Sequence, residues 1–336
     1  MKILTIFADL QLPERMAKTF SILLSSVAVG VASAKRYPFW DVYHDLFVDA
    51  KYVDLTHSFE PNQPAYKGFG LASFSATKAG RTVEGYVKKG DTFTYSPHGF
   101  VATSYTLPTD QYGTQLDPPG HWNPFGATIS DLPATYAVRP LVVINVADKT
   151  AAEPGYHATA EDVLAWEAQH GRVPAGSVVM FRSDWHKKWA AAVGPDKEQS
   201  ARDAFITGFP GVGLDALKLL HLERKILFHG HEPLDTDDRG LVGEAWLMHN
   251  NYCQAEGVSN LHLVPEAGAL VAVGFAKPLG GTGGFARYIA IAPSEWPHGV
   301  SVREMPGAPL PGQSHPLKRG VDGVMRPTPE TGKVEL

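Results

Sequence analysis

The sequence predicts an α/β chain with one main domain, built on a strand-rich mixed core with a few flanking helices. Three observations lead there. Residues 141–146 and 176–181 are continuous apolar runs rich in β-branched side chains, the pattern of strands buried on both faces. Between them, Thr159-Ala160-Glu161-Asp162 opens a segment with Val163, Leu164 and Trp166 on one helical face and Gly171 as its stop. Late in the chain, residues 269–275 and 286–291 again read as strands.

Taken in order, Lys51 to His57 reads as a short strand that runs into a loop around Pro61 and Pro64. From Leu71 to Tyr105 the alternation is weak and glycines punctuate it, which suits short strands and hairpins. Residues 109–121 hold a Gly and a Pro pair, so an irregular surface loop is expected there. Pro210-Gly211-Val212-Gly213 precedes a second helix over 214–223, with Leu214 and Leu217 inward. Lys225 to Phe228 is a strand, and it exits into His229-Gly230-His231-Glu232-Pro233-Leu234-Asp235-Thr236-Asp237. Residues 243–251 suit a helix or a helix-like turn. The cluster Leu279-Gly280-Gly281-Thr282-Gly283-Gly284 leads into a strand, not a helix. A hairpin connection therefore fits better than a phosphate loop, which needs a helix N-terminus.

The chain has 336 residues, 44% hydrophobic and 19% charged, with a net charge of −5. That is a globular composition with none of the basic excess that marks nucleic-acid binding. The single cysteine, Cys253, excludes an internal disulfide framework and any cysteine-rich zinc site. No Gly-x-Ser-x-Gly elbow is present, which argues against a serine hydrolase. The segment Met16 to Ala34 has a basic start, an apolar run and a small-x-small end, the parts of a secretory signal. The run is short for a bilayer span, and Asp9 and Glu14 lie upstream of it. Residues 1–34 are read as a signal peptide or N-terminal extension, 35–296 as the main domain and 297–336 as a Pro/Gly-rich arm. A secreted or periplasmic location follows if the signal is real, and a cytoplasmic one if it is not.

The densest chemistry lies in Gln111-Tyr112-Gly113-Thr114-Gln115-Leu116-Asp117-Pro118-Pro119-Gly120-His121. A second cluster, Cys253-Gln254-Ala255-Glu256-Gly257-Val258-Ser259-Asn260-Leu261, follows far downstream. The first stretch resembles the metal-dependent cyclase family, which includes kynurenine formamidase (arylformamidase) and isatin hydrolase. Its signature there is His-x-Gly-Thr-His-x-Asp-x-Pro-x-His. Gly113, Thr114, Asp117, Pro119 and His121 match, whereas Gln111 and Gln115 stand where the family has histidine ligands. The resemblance runs from about Val53 to Pro293, and the Asp54-Leu55-Thr56-His57 strand belongs to it.

The resemblance implies a swivelling β/β/α fold and a hydrolase that opens small amides, formamides, lactams or lactones. His121 takes the place of the general acid/base. Asp117 and Glu256 match metal ligands, Glu244 falls where another ligand is expected twelve residues before Glu256, and Gln111 and Gln115 become weak oxygen donors. His57, His231 and His249 are candidates to line a substrate pocket. The implied cofactor is a divalent metal, Mn²⁺, Mg²⁺ or Zn²⁺. Zinc is disfavoured here because amide and carboxylate oxygens replace imidazole. A small-molecule substrate, no nucleic acid, no membrane partner and a homodimer or homotetramer complete the expectation. Two alternatives stay open: a member that keeps the pocket but lost its metal and only binds, and a metal-free route with glutamine donors at an oxyanion.

Overall fold

The structure is a computed structural model. It describes residues 37–194, 197–237, 240–307 and 310, together with the backbone of 317–319 and 325–327. The expected signal segment lies outside the described residues. The chain divides into two units, residues 1–46 and 47–336. The described part of the first carries the short helix Pro38–Val42, with Phe39 and Trp40 exposed.

The second unit is organised by one sheet of eight strands. In chain order these are β1 (Lys51–Asp54), β4 (Gln115–Asp117), β5 (Val138–Asn145), β7 (Val178–Arg182), β9 (Phe228–His231), β10 (Cys253–Glu256), β11 (Ala269–Phe275) and β12 (Gly284–Ala292). The smaller pairs are β2 (Ser73–Ala76) with β3 (Thr103–Thr106), and β6 (His157–Ala158) with β8 (Gly211–Val212). The sheet order is β1-β12-β11-β5-β7-β9-β10-β4, and β4 pairs a second time with β12. That extra pairing closes the seven strands from β12 to β4 into a barrel and leaves β1 outside the ring. Strands β5, β7, β9 and β10 run parallel, and the remaining contacts are antiparallel. Closure leaves no free edge at the site end.

Alternation decides which residues fill the barrel. Leu141, Val143, Val178, Met180, Phe228, Ala255, Val271 and Tyr288 belong to one buried cluster. Val142, Ile144, Val179 and Phe181 belong to another, shared with Trp166 of the helix Ala160–His170 and Leu217 of the helix Leu214–Lys218. This two-sided burial is why both central runs are apolar without interruption. Gly230 sits where neighbouring strands come closest: a Cβ there would collide with Met180 Sδ and approach Ala255 Cβ to 2.9 Å.

The expected helix at 159–171 forms with its Thr159 capping box. The second runs from Leu214 and widens into a π turn at Leu219–Arg224. The third is Val242–His249. Two expectations need correction. The strand read at 225–228 begins only at Phe228, because Lys225 adopts a left-handed conformation that ends the preceding turn. The stretch read as an irregular surface loop contains β4, and all three of its residues are buried. Neither strand propensity nor length signals it; hydrogen bonding on both edges creates it. At the C-terminal side, Val300 bridges to Tyr52, and the Trp296 indole donates to the Leu263 carbonyl at 2.8 Å. Among the described residues no helix is long and apolar enough to cross a membrane.

His221 is enclosed by Tyr252, Trp246 and His229, and neither ring nitrogen has a partner. Burial pushes its pKa down to about 3. Above about pH 6.5 the ring is neutral whether folded or unfolded. Below that the unfolded chain takes up a proton that the native state refuses, so stability falls as pH falls. Replacing His221 by Phe is expected to remove about one proton from that slope, roughly 1.4 kcal/mol per pH unit between about pH 6 and pH 4. Urea denaturation across that range reads it, and an unchanged slope would refute the assignment.

Candidate functional site

The site is assembled from facing strand positions. In β4, Leu116 points into the apolar core while Gln115 and Asp117, two residues apart, share the opposite face. The register with β10 sets Asp117 opposite Gln254 and Glu256 opposite Gln115. Directly opposed residues on one face approach closely enough for side chains to pair. Gln115 Nε2 accordingly donates to Glu256 Oε2 at 2.8 Å and to Asp117 Oδ2 at 3.1 Å. Gln254 Nε2 donates to Glu256 Oε1 at 2.7 Å, and its own carbonyl accepts the Thr236 hydroxyl. The Tyr288 hydroxyl holds the Gln115 backbone carbonyl at 2.9 Å.

Two further elements bring the rest. The helix Val242–His249 carries Glu244 in its first turn, and Asp237 caps that end by accepting from the Gly243 amide at 2.8 Å. The turn Pro119–His121 follows β4 directly and presents His121. The Trp122 indole donates to Glu244 Oε1 at 2.9 Å, and His121 Nε2 lies 3.7 Å from the same oxygen. Gln111 Nε2 donates to the Thr282 carbonyl at 3.1 Å, which fixes which way the amide faces, and to His121 Nδ1. An amide N–H on Nδ1 leaves the ring proton on Nε2, directed toward Glu244. The glycine-rich connection is therefore a clamp on this segment: Asp110 accepts from the Thr282 and Gly283 amides at 2.8 and 3.0 Å.

These groups face a cavity of about 290 Å³. Tyr66, Phe69, Trp122, Leu234 and Leu241 are among its aromatic and aliphatic lining residues; Asp117, His121, Asp235, Glu244 and Glu256 line it with ionisable groups. Potential ligand atoms of Asp117, His121 and Glu244 lie within 4.8 Å of one another, and so do those of Asp235, Glu244 and Glu256. Asp117 Oδ1 and Glu244 Oε2 are buried with no hydrogen-bond partner. Burial raises the pKa of Asp117, Glu244, Glu256 and Asp235, and mutual repulsion among the acids adds to it. Burial lowers that of His121, against the pull of Asp110. Orphaned carboxylate oxygens in a shared cavity fit a cation, and the donor set suits a hard one.

Gln111, Gln115, Asp117, His121, Glu244 and Glu256 are thus brought together. Both glutamines enter as donors through nitrogen, so only their amide oxygens are left for a cation. His57, His231 and His249 are not. The His57 ring stacks on Trp189 with centroids 4.1 Å apart. His231 is enclosed between the Pro233 carbonyl and the Thr236 hydroxyl. His249 is exposed and bonds the Ala245 carbonyl one turn back on its own helix. The expectation that these three line the pocket is corrected, because each ring is satisfied or packed elsewhere. Sequence reasoning passed over Asp235 and Trp122. The acidic run at the exit of β9 was the available signal for the first, and the second adjoins His121.

One more group, Asp184, His186 and His262, lies elsewhere within 4.8 Å. There Arg182 and Lys187 already balance Asp184, and Glu232 holds His186 Nδ1 at 3.0 Å.

A family model described as "Putative cyclase" matches residues 53–238. An isatin hydrolase of Roseibium aggregatum is 31% identical over 212 residues, 58% of this chain and 76% of that protein. Among solved structures, isatin hydrolase A from Labrenzia aggregata bound to benzyl benzoate has a TM-score of 0.60 at 23% identity, covering 80% of this chain and 99% of the other. An isatin hydrolase bound to the product analogue thioisatinate has a TM-score of 0.62 at 23% identity, covering 76% and 97%. These two share the fold.

Gln115 supplies a donor to two buried carboxylates at once. Its replacement by Leu is expected to destabilise the chelator-treated protein by about 2 kcal/mol, in the range for hydrogen bonds to charged groups. Urea denaturation measures it, and a loss below about 0.5 kcal/mol would mean the amide does not hold the acids.

Proposed function

The chain belongs to the cyclase family and is a hydrolase, and from that premise we propose that it cleaves the C–N bond of a small amide, a lactam or an N-formyl arylamine, with esters and lactones as related substrates. The observation that carries the reading is the convergence of Asp117, His121 and Glu244 within 4.8 Å in a small cavity that Tyr66, Phe69 and Trp122 also line. At about 290 Å³ the cavity lies near the lower end of ligand pockets, roughly 300–1,000 Å³. The relative named isatin hydrolase supports a cyclic amide fused to an aromatic ring as the first substrate to try.

Asp117, Glu244 and Glu256 would hold a divalent metal. Such a cation supplies Lewis acidity, polarising the acyl oxygen and letting water ionise near neutral pH. The protein's own groups do the rest. Tyr66, Phe69 and Trp122 hold the ring of the substrate and exclude water from its face. His121, neutral and carrying its proton on Nε2, donates toward the acyl group. To pass a proton onward the ring must change tautomer, and that breaks the bond from Gln111. Gln111 therefore sets which nitrogen works. Gln115 and Gln254 keep Glu256 oriented.

One observation favours a second reading, a pocket that binds without turnover: Gln115 already gives Asp117 and Glu256 a shared internal partner. The assay that separates the two uses isatin, formanilide and an aryl lactone with Mn²⁺, Mg²⁺ and Zn²⁺ added singly to chelator-treated protein. Turnover with at least one cation is expected, with kcat reduced by about 10²- to 10⁴-fold in His121→Ala and as strongly in Asp117→Ala. No turnover with any cation, together with ligand-dependent thermal stabilisation, would favour the binding protein.

A further inference from the structure

We propose that Asp235 is a cation ligand, and that with Glu244 and Glu256 it makes an oxygen-only site for a hard divalent cation of the Mn²⁺ or Ca²⁺ class. The inference rests on the metal-dependent reading above and extends it to a residue outside both sequence motifs.

The backbone around Asp235 is held on each flank. The Pro233 carbonyl accepts from the Gly257 amide at 2.8 Å, and the Thr236 carbonyl accepts from the Val212 amide at 2.8 Å. The Thr236 hydroxyl is bonded to Gln254, and Asp237 caps the helix that carries Glu244. The segment after β9 is thus hydrogen-bonded both to the end of the Glu256 strand and to the start of the Glu244 helix, and Asp235 lies between those contacts. Its carboxylate reaches into the cavity with potential ligand atoms within 4.8 Å of those of Glu244 and Glu256. A preorganised carboxylate loses little freedom on binding an ion.

An acidic cluster alone would not make a site. Here Asp117 is 1% exposed and Glu244 2%, and each turns an unpartnered oxygen into the same cavity. Among the described residues, no Lys or Arg lines the cavity beside the four acids. The donor chemistry points the same way. Gln111 and Gln115 hold their places with N–H groups directed at His121 and at the carboxylates, so no imidazole is offered from those positions. Asp235 restores a charged donor, but an oxygen one. Oxygen sets favour hard cations, whereas imidazole and thiolate favour zinc.

The test is calorimetric titration of the chelator-treated full chain with MnCl₂ and, separately, ZnCl₂. Asp235→Asn keeps the shape and removes the charge, and Asp235→His puts an imidazole there. Asp235→Asn is expected to weaken Mn²⁺ binding at least tenfold, with the melting temperature of the cation-free protein unchanged or raised because a repelled carboxylate is gone. Asp235→His is expected to shift the ratio of Zn²⁺ to Mn²⁺ affinity at least tenfold toward zinc, and that ratio is internal to one variant and independent of how much of it folds. Mn²⁺ affinity within twofold of the parent in Asp235→Asn, or an unshifted ratio in Asp235→His, would overturn the assignment while leaving the hydrolase reading intact. Absence of any cation binding by the parent chain would overturn the assignment together with the metal-dependent reading on which it rests.

Discussion

The structure depends on β4 being bonded along both edges. A strand of three residues contributes little by itself, and this one contains only one apolar side chain. Pairing with β10 on one side and β12 on the other satisfies its backbone inside the protein and closes the barrel. Once it is in register, the two-residue period leaves no freedom about the site: Leu116 fills the core, and Gln115 and Asp117 meet the polar face of β10. Barrel closure and site assembly are one event.

That arrangement gathers carboxylates where water is scarce. Desolvation and mutual repulsion both oppose ionisation, and the amides of Gln115 and Gln254 offset part of the cost by donating to the ionised forms. Yet the amides reach only some of the oxygens. The pocket is thus neither a satisfied polar network nor a simple acidic patch. It is a set of negative groups positioned by neutral ones, a state that a cation would complete.

Much of the frame was legible in the chain because it follows from burial on two faces. The runs at 141–146 and 176–181 became central parallel strands, and the Thr159 capping box began its helix. The acid and imidazole of the first motif, Asp117 and His121, do face one cavity. What the residues did not reveal was strand character in the polar segments 115–117 and 253–256, whose extended form comes from neighbours distant in sequence. The histidines misled for a related reason. His57 packs on Trp189, His231 is enclosed by its own turn, and His249 bonds back along its helix at the surface, contacts that no spacing rule foretells. Asp235 went unselected because its relevance depends on a turn geometry fixed by contacts with Val212 and Gly257.

The glycine-rich connection before β12 carries one more implication. Gly283 packs against the aliphatic part of Gln111 so tightly that a Cβ would come within 2.6 Å of its Cγ. Any larger side chain there would tilt that amide and loosen its grip on Nδ1 of His121. The tautomer of the His121 ring can therefore be shifted from a hairpin more than 160 positions later in the chain, by sterics alone, with every residue that lines the cavity left as it is.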